Sequence, residues 1–232
     1  MRTALIFISL ILCTTLVNGQ VENSRKVEDV GLEFAKKKHL ESICGEKYID
    51  EKEIAGSPYL DKQFQPSYLI KIDGSEIRDM LLRYNIYNDQ MQFKKDGKVL
   101  SIALPNEVIR INMGGKVFIY RSFMTAKNVS AGYFQVMYEG DYQLLKKEQV
   151  TLISPSEKTH SGDSLRFERK SPSFYLRYGD GMAHLVNSQK NLIKTLQPIH
   201  QAVIDFIKSK KINTKDEKQL IELLEYMDDS QN

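Results

Sequence analysis

The chain has 232 residues, and 33 basic residues against 30 acidic ones give a formal net charge of +3 at pH 7. This near balance gives no electrostatic footprint for nucleic acid, which would call for a concentrated basic stripe, so no nucleic-acid partner is expected. A hydrophobic content of 41% with 9% aromatic residues is enough to build a core, which excludes a disordered chain.

The N-terminus has the pattern of an export signal. Arg2 places one positive charge ahead of an apolar run over residues 4–17. The run is shorter than the roughly 20 apolar residues that span a bilayer, and it has the length of a signal-peptide core. Since Gly19 fits a cleavage site, we expect a signal peptide over residues 1–19 and a mature chain that begins at Gln20.

Cys13 offers an alternative, in which the mature protein is a lipoprotein. Leu12 precedes it, where a lipoprotein signal needs a small residue, and the apolar run continues past it. We therefore favour a protein of the periplasm or the extracellular space over lipid anchoring. Cleavage leaves Cys44 as the single cysteine, so no internal disulfide can form, and packing is its expected role. No later segment is long and apolar enough to predict a transmembrane segment in the mature chain.

Residues 20–56 form a polar N-terminal segment of mixed charge that is rich in Lys and Glu. Apolar residues at irregular helical spacing within it predict a helix over residues 27–42. Gly56 and Pro58 then break the pattern, so the folded β domain is predicted to begin at residue 57.

From about Ser67 to Val186 the hydrophobic pattern has a period of two, which is typical of strands with one buried face. Turn signals separate the alternating runs: Asn88-Asp89, Asp96-Gly97, Gly114-Gly115, Gly140-Asp141, Ser171-Pro172-Ser173 and Gly179-Asp180-Gly181. About ten strands joined by short turns favour sequential antiparallel pairing. We therefore predict an antiparallel β domain over residues 57–187, arranged as a curled meander or a partly open barrel.

After Val186 the period changes to 3.6, which predicts two or three C-terminal helices over residues 188–232. The helix-start signals are Ser188 before residues 189–196, Pro198 in a first turn, and Thr214 with Glu217 as a capping box. Because short helices are marginal alone, we expect them to pack on the β domain. The predicted fold class is α+β, mainly β.

No motif with catalytic or metal-binding chemistry stands out. The histidines, His39, His160, His184 and His200, are far apart and lack metal-ligand spacing. Carboxylates such as Asp89, Glu139 and Asp180 could pair for acid/base catalysis, but sequence spacing does not identify a pair. The sequence therefore predicts no catalytic, cofactor-binding or metal-ligating residue and no cofactor, and it favours a non-enzymatic protein.

Aromatic residues recur along the strands and admit two interpretations, the wall of a ligand cavity or ordinary packing, of which packing is favoured. They are Tyr84, Phe118, Tyr120, Tyr133, Phe134, Tyr138 and Tyr175. Arg83 and Asn85 are the most conspicuous polar residues on a predicted strand. We interpret both as facing solvent.

Two segments are distinctive together: Gly56-Ser57-Pro58-Tyr59-Leu60 with Phe64, and the run from Leu82 to Phe93. The C-terminal part adds three pieces, Phe174 to Gly181, Ile204 to Lys211 and Leu220 to Tyr226. They resemble an uncharacterised family of exported proteins found widely in Bacteroidetes bacteria. The resemblance implies a bacterial cell-envelope or secreted location. It brings no catalytic residue to this chain.

These observations favour an exported, non-enzymatic envelope or secreted protein that binds a protein or an amphiphilic ligand. Two further hypotheses stay open: a hydrolase of envelope polymers that uses a carboxylate pair, and a structural or assembly component of the cell surface. A deep apolar cavity would favour a ligand carrier, and a polar cleft with two close carboxylates would favour the hydrolase. A filled core with neither would favour an interaction protein.

Overall fold

The computed structural model describes residues 54–125, 128–154, 165–196 and 200–230. The predicted signal peptide, the helix predicted over residues 27–42, and Cys13, Cys44, His39, His160 and Pro198 lie outside these ranges. Ala55–Asn232 form one compact unit. No helix of the described residues combines the length and the apolar character needed to cross a membrane.

In the described part of the chain, ten strands follow the alternating pattern and form one sheet. They are β1 (Gln65–Lys71), β2 (Glu76–Asn85), β3 (Gln90–Lys95), β4 (Lys98–Ser101), β5 (Val108–Met113), β6 (Lys116–Met124), β7 (Val129–Glu139), β8 (Tyr142–Ile153), β9 (Arg166–Tyr178) and β10 (Ala183–Leu185). Their order across the sheet is β10-β9-β8-β7-β6-β5-β1-β2-β3-β4, with every neighbouring pair antiparallel.

The sheet curls back on itself at one side. β10 also pairs with β6, in parallel, where Ala183 lies opposite Phe123. Strands β6–β10 therefore close a ring, while β1–β5 extend from β6 as an arm. The first half of β6 pairs with β5 and its last residues pair with β10. This confirms the mainly β fold with about ten strands, a curled sheet and C-terminal helices.

Apart from the contact of β10 with β6, pairing is sequential except at one place. After β4 the chain passes through a short 3-10 turn, Pro105–Glu107, and β5 pairs with β1 instead of β4. The amide of Ile72 donates to the Glu107 carbonyl at 2.9 Å, which fixes this return. β4 is consequently the outermost strand of the arm.

Two of the predicted tight turns have the backbone that their sequences require. Asp96 and Gly97 have φ angles of +51° and +74° between β3 and β4, and Gly114 and Gly115 have +57° and +75° between β5 and β6. Positive φ at both central residues is the primed-turn geometry that matches the twist of a hairpin.

The turn predicted at Ser171-Pro172-Ser173 is wrong, because β9 runs without interruption through Pro172. The ladder between β8 and β9 shifts register between Lys147 and Gln149, so two residues of β9 lie opposite one residue of β8. A bulge leaves one residue outside the ladder, and a proline there costs no inter-strand hydrogen bond.

Among the described residues, three helices follow the sheet: α1 (Gln189–Thr195), α2 (Gln201–Ser209) and α3 (Glu217–Asp229). Ser188 caps α1, as predicted, by accepting a hydrogen bond from the Asn191 amide at 3.2 Å. The capping box predicted from Thr214 and Glu217 is wrong. Asp216 caps α3 instead, because its carboxylate lies next to the helix and reaches the amides of the first turn.

The described residues form three buried clusters. The helices pack on one face of the sheet through residues that include Leu144, Phe174, Leu176, Leu192, Ile207, Leu220 and Leu224. The ring encloses Ile119, Phe123, Phe134, Leu145, Tyr175 and Ala183. The inner face of the arm buries Leu82, Tyr84, Met91, Ile111, Phe118 and Tyr133. The aromatic residues thus pack in cores, and Phe123, Phe134 and Tyr175 meet edge to face at 5.1–5.4 Å.

Candidate functional site

Residues 55–60 form a segment that we call the strap. One end of the strap pairs with β9 and the other end pairs with β2. At its start, Ala55 pairs in parallel with Arg166, and the Ala55 carbonyl accepts from the Phe167 amide at 2.8 Å. Gly56 follows with a φ of +84°, and a Cβ there would overlap the Phe167 carbonyl oxygen. Only glycine fits this close approach, which explains the break that the sequence shows at this point.

The other end of the strap lies on β2. Tyr59 pairs with Asn85, and the Leu60 amide donates to the Tyr84 carbonyl at 3.0 Å. The Arg83 guanidinium lies 3.6 Å from the centroid of the Tyr59 ring. Strand pairing and a cation–π contact therefore hold the strap to the same three residues of β2.

Arg83 and Asn85 do not face solvent as interpreted from the sequence. Asn85 is 1% exposed, and its side-chain oxygen accepts from the Asn88 amide at 3.1 Å. Arg83 is half-buried and donates to the Gln92 side chain at 2.9 Å. The strap covers both residues, so their role is to anchor it and to shape the turn after β2.

A second polar cluster lies where β7 and β8 separate. Their pairing ends at Gln135 and Lys146, and beyond this point the backbone of Tyr133 has no partner in β8. We call this gap between the two strands the fork, and the turn after β2, which contains Asp89, lies in it. The Tyr133 amide donates to the Asp89 carboxylate at 3.2 Å, and Lys147 Nζ donates to the Tyr133 carbonyl at 3.1 Å.

The pair that fills the fork is tightly enclosed. Lys147 Nζ lies 2.9 Å from Asp89 Oδ2, and the Tyr84 hydroxyl donates to Asp89 Oδ1 at 2.6 Å. Burial raises the pKa of Tyr84 well above its ordinary value, with the negative charge of Asp89 adding to the effect. A Cβ on Gly132 would overlap both Asp89 and Lys147, so glycine leaves the space that this pair occupies.

Each of the carboxylates considered for acid/base catalysis lies beside a cation. Asp89 pairs with Lys147, Asp180 lies 3.1 Å from the buried Arg177, and Glu139 forms two 2.8 Å hydrogen bonds with Arg110. The bonds from Arg110 hold the pKa of Glu139 below its ordinary value. Among the described residues, no cluster of His, Cys, Asp and Glu could hold a metal ion. His184 and His200 are both exposed.

Exposed apolar side chains concentrate on the arm. Seven of the eleven exposed large hydrophobic residues of the described chain belong to it or its connections: Ile72, Ile77, Leu81, Val99, Leu100, Leu104 and Ile109. The ring and the helices bury most of their apolar residues in the clusters above. A concentration of exposed apolar surface on one part of a protein is typical of an interaction site.

A shallow groove runs along the outer face of the arm between β1 and β2. It has a volume of about 480 Å³, and Pro66, Tyr68, Arg78 and Leu81 are among its lining residues. The Arg78 guanidinium lies 5.2 Å from the Tyr68 ring centroid. A bulge creates the groove, because the register shifts here and Asp79 adopts a φ of +55° within β2.

The far edge of β4 is open, since no described strand pairs with it. Hydrogen-bonded pairs alternate with non-hydrogen-bonded pairs along an antiparallel ladder. Ile102 and Met91 form a hydrogen-bonded pair, because the Ile102 amide donates to the Met91 carbonyl. Val99 and Ser101 fall in the non-bonded pairs with β3. Their amides and carbonyls therefore point to the open side.

The tip beside this edge is basic. Residues 94–100 are all exposed, and the segment contains Lys94, Lys95 and Lys98 against the single carboxylate of Asp96. No described carboxylate forms an ion pair with any of the three lysines. The ammonium of Lys94 lies 4.9 Å from the Phe64 ring centroid. The arm thus combines apolar side chains, an open sheet edge and positive charge.

This surface is not among the features predicted from the sequence, although one signal for it was present. Val99 and Leu100 are adjacent apolar residues in a four-residue strand. Because successive side chains of a strand point to opposite faces of the sheet, one of the two must be exposed unless both faces are covered. Comparison of the chain with protein-family models, curated proteins and solved structures found no match. The arm is therefore identified as the candidate site on its geometry alone.

Proposed function

We propose that this protein is exported to the periplasm or the extracellular space and binds a partner protein through the outer part of its arm, without catalysing a reaction. The single observation that supports this most is the concentration of exposed apolar residues on the arm, which also has an open sheet edge. The ring and the helical face, in contrast, have filled cores.

Burial of the exposed apolar side chains of the arm by a partner protein is energetically favourable. Full burial of a side chain such as Leu81 or Val99 contributes about 1.5–3 kcal/mol. Leu81 is 52% exposed and Val99 is 47% exposed, so burial of these side chains by a partner would add much of this stabilisation to the complex. Leu81 on β2 and Val99 on β4 lie on the outer face of the arm, and burial of both by one partner would add to the stability of the interface.

An amphiphilic ligand is the second candidate, and the groove between β1 and β2 favours it. Arg78 can bind an anionic head group, while Tyr68 and Leu81 supply an apolar wall. Organic extraction of protein purified from its native host, followed by mass spectrometry, tests for such a ligand. A co-purified amphiphile that an Arg78→Glu variant no longer retains would support it.

A hydrolase and a structural component of the cell surface receive less support. A hydrolase with a carboxylate pair would need two acids facing one cleft, whereas Asp89, Glu139 and Asp180 each lie beside a cation. A structural role at the cell surface would use the same arm for assembly. The resemblance to exported Bacteroidetes proteins agrees with either binding or assembly in the envelope.

Export is tested separately from binding. Residues 1–25 fused to a reporter that is active only outside the cytoplasm should give activity, and mass spectrometry of the released fusion should place the new N-terminus at Gln20. Replacing Leu10 in the apolar run with Arg should abolish export. A reporter that stays cytoplasmic with the intact segment would overturn this part of the proposal.

Binding is tested by a photo-crosslinking amino acid placed at Leu81, with Lys190 on α1 as the matched exposed control. Both variants of the full chain are irradiated in the native host. We expect a discrete adduct with one partner protein from position 81 and none of the same mass from position 190. Equal adducts from both positions, or none from position 81, would overturn binding through the arm.

A further inference from the structure

We propose that β4 binds an extended acidic segment of the partner protein, which joins the sheet as an additional edge strand. This inference rests on the proposed function and specifies the partner's chemistry. β4 lies at the end of the ten-stranded order, and it contains no proline or bulge that would block a further strand.

The hydrogen-bonding groups for such a strand are in place. The amides and carbonyls of Val99 and Ser101 point away from β3, which gives two donors and two acceptors on the open side. An extended chain that pairs with an exposed edge gains main-chain hydrogen bonds, while side-chain pockets set its specificity. The exposed edge therefore supplies the affinity without any rearrangement of the arm.

Charge determines which chain fits. The tip carries Lys94, Lys95 and Lys98 with one carboxylate, Asp96. A second copy of β4 would bring the same lysines together, and lysines on an edge strand oppose such self-pairing. A partner strand that carries acidic residues turns this repulsion into attraction.

The register of β3 and β4 determines which positions of the partner strand should be acidic and which should be apolar. The pairs Lys95–Lys98 and Phe93–Leu100 are two residues apart, so their side chains lie on the same face of the sheet. The matching partner strand has an acidic residue beside Lys98 and an apolar residue two positions away beside Leu100. On the opposite face, Val99 offers an apolar neighbour to the residue between them.

The probe is a fluorescein-labelled synthetic peptide that repeats Glu-Val-Val, which places an apolar residue both next to each glutamate and two positions from it. A Lys-Val-Val peptide of the same length is its control. Fluorescence anisotropy with the mature protein should show saturable binding of the acidic peptide and none of the basic one. Affinity should fall as salt is added, because ion pairs on an exposed surface are screened. Equal binding of the two peptides, or no binding of the acidic peptide, would overturn the inference.

Val99→Pro tests strand addition directly. Proline removes the outward amide of Val99 while every hydrogen bond between β3 and β4 keeps its donor. We expect peptide binding to weaken by about tenfold or more, whereas Val99→Thr, which keeps the amide and the β-branched side chain, should bind like the wild type. Circular dichroism and the unfolding midpoint check that the proline variant is folded. Unchanged binding by this folded variant would overturn strand addition.

The charge requirement has its own variants. Lys95→Glu combined with Lys98→Glu should abolish binding of the acidic peptide, while Lys190→Glu on α1 should leave it unchanged. Concentration-dependent dimerisation of the wild type that Val99→Pro removes would assign the edge to a second copy and overturn the acidic partner.

The two proposals fail in different ways. If the adduct from position 81 persists in a Val99→Pro background, strand addition fails and partner binding through the arm stands. If position 81 gives no adduct in the wild-type background, the proposed function itself fails. Loss of the adduct specifically in the Val99→Pro background supports both.

Discussion

The ammonium of Lys147 lies 2.9 Å from the carboxylate of Asp89, in the fork where β7 separates from β8. The two side chains together satisfy the amide and the carbonyl of Tyr133, which β8 no longer reaches. Asp89 belongs to the turn after β2, so this contact ties the arm to the ring. A buried backbone group without a partner is costly, and the ion pair removes that cost at two positions.

Lys147→Met should therefore destabilise the protein by about 2–3 kcal/mol, since it leaves the Asp89 carboxylate without its cation and the Tyr133 carbonyl without its donor. The side chains of Lys147 and Asp89 are 16% and 30% exposed, which keeps the loss below that of a fully buried pair. Urea unfolding followed by circular dichroism measures it. Lys170→Met, which breaks an exposed pair with Glu168, is the control and should scarcely change the midpoint. Equal effects of the two variants would contradict the role of the fork.

Gly132→Ala should destabilise by about 1–3 kcal/mol, because the added methyl group overlaps the Asp89 carboxylate and the Lys147 ammonium. A double-mutant cycle supplies the control. In an Asp89→Ala background, part of the overlap is gone, and the same substitution should cost clearly less. If the costs are additive, the space beside Gly132 does not belong to the ion pair.

Features whose determinants are local in the chain were predictable from the sequence. Ser188 caps α1 through a residue three positions away, and the turn at Asp96 and Gly97 needs only its own backbone angles. Helix α3 shows the limit even of local rules, because Thr214 and Asp216 are both good caps and the structure uses the one adjacent to the helix.

The features that were not predictable have determinants on other elements. Pro172 has the sequence signature of a turn, but the register shift between β8 and β9 places it in a bulge of β9. Asn85 has the signature of a solvent-facing residue, but the strap covers it. The open edge of β4 follows from the pairing of β5 with β1, which no neighbouring residue specifies. Non-local pairing therefore determines the candidate site.

The strap yields a prediction about Arg83. Arg83→Ala removes the cation over Tyr59 and the donor to Gln92, and should destabilise the protein by about 2 kcal/mol. Arg78→Ala is the matched control, since its guanidinium also lies over a tyrosine but its side chain is 65% exposed. The control should lose about 0.5 kcal/mol. Limited proteolysis should cut the strap faster in the Arg83 variant only; identical cleavage would contradict its anchoring role.

Tyr138 predicts how stability responds to alkali. Its hydroxyl donates to Asp228 at 2.7 Å, and this hydrogen bond raises the pKa of Tyr138 to about 12 from an ordinary value of 10.0. A group whose pKa is raised by folding contributes its stabilisation fully below pH 10.0, and the contribution is lost as pH rises through about 12.

Tyr138→Phe removes this contribution, so the variant should be less stable than the wild type at neutral pH and the difference should shrink between these two pH values. Chemical unfolding over that range measures the difference. Burial also raises the pKa of Tyr84 in both proteins, so the prediction concerns only the difference in unfolding free energy between the wild type and the variant, which we call the gap. A gap that stays constant with pH would show that the hydrogen bond to Asp228 does not hold the proton on Tyr138.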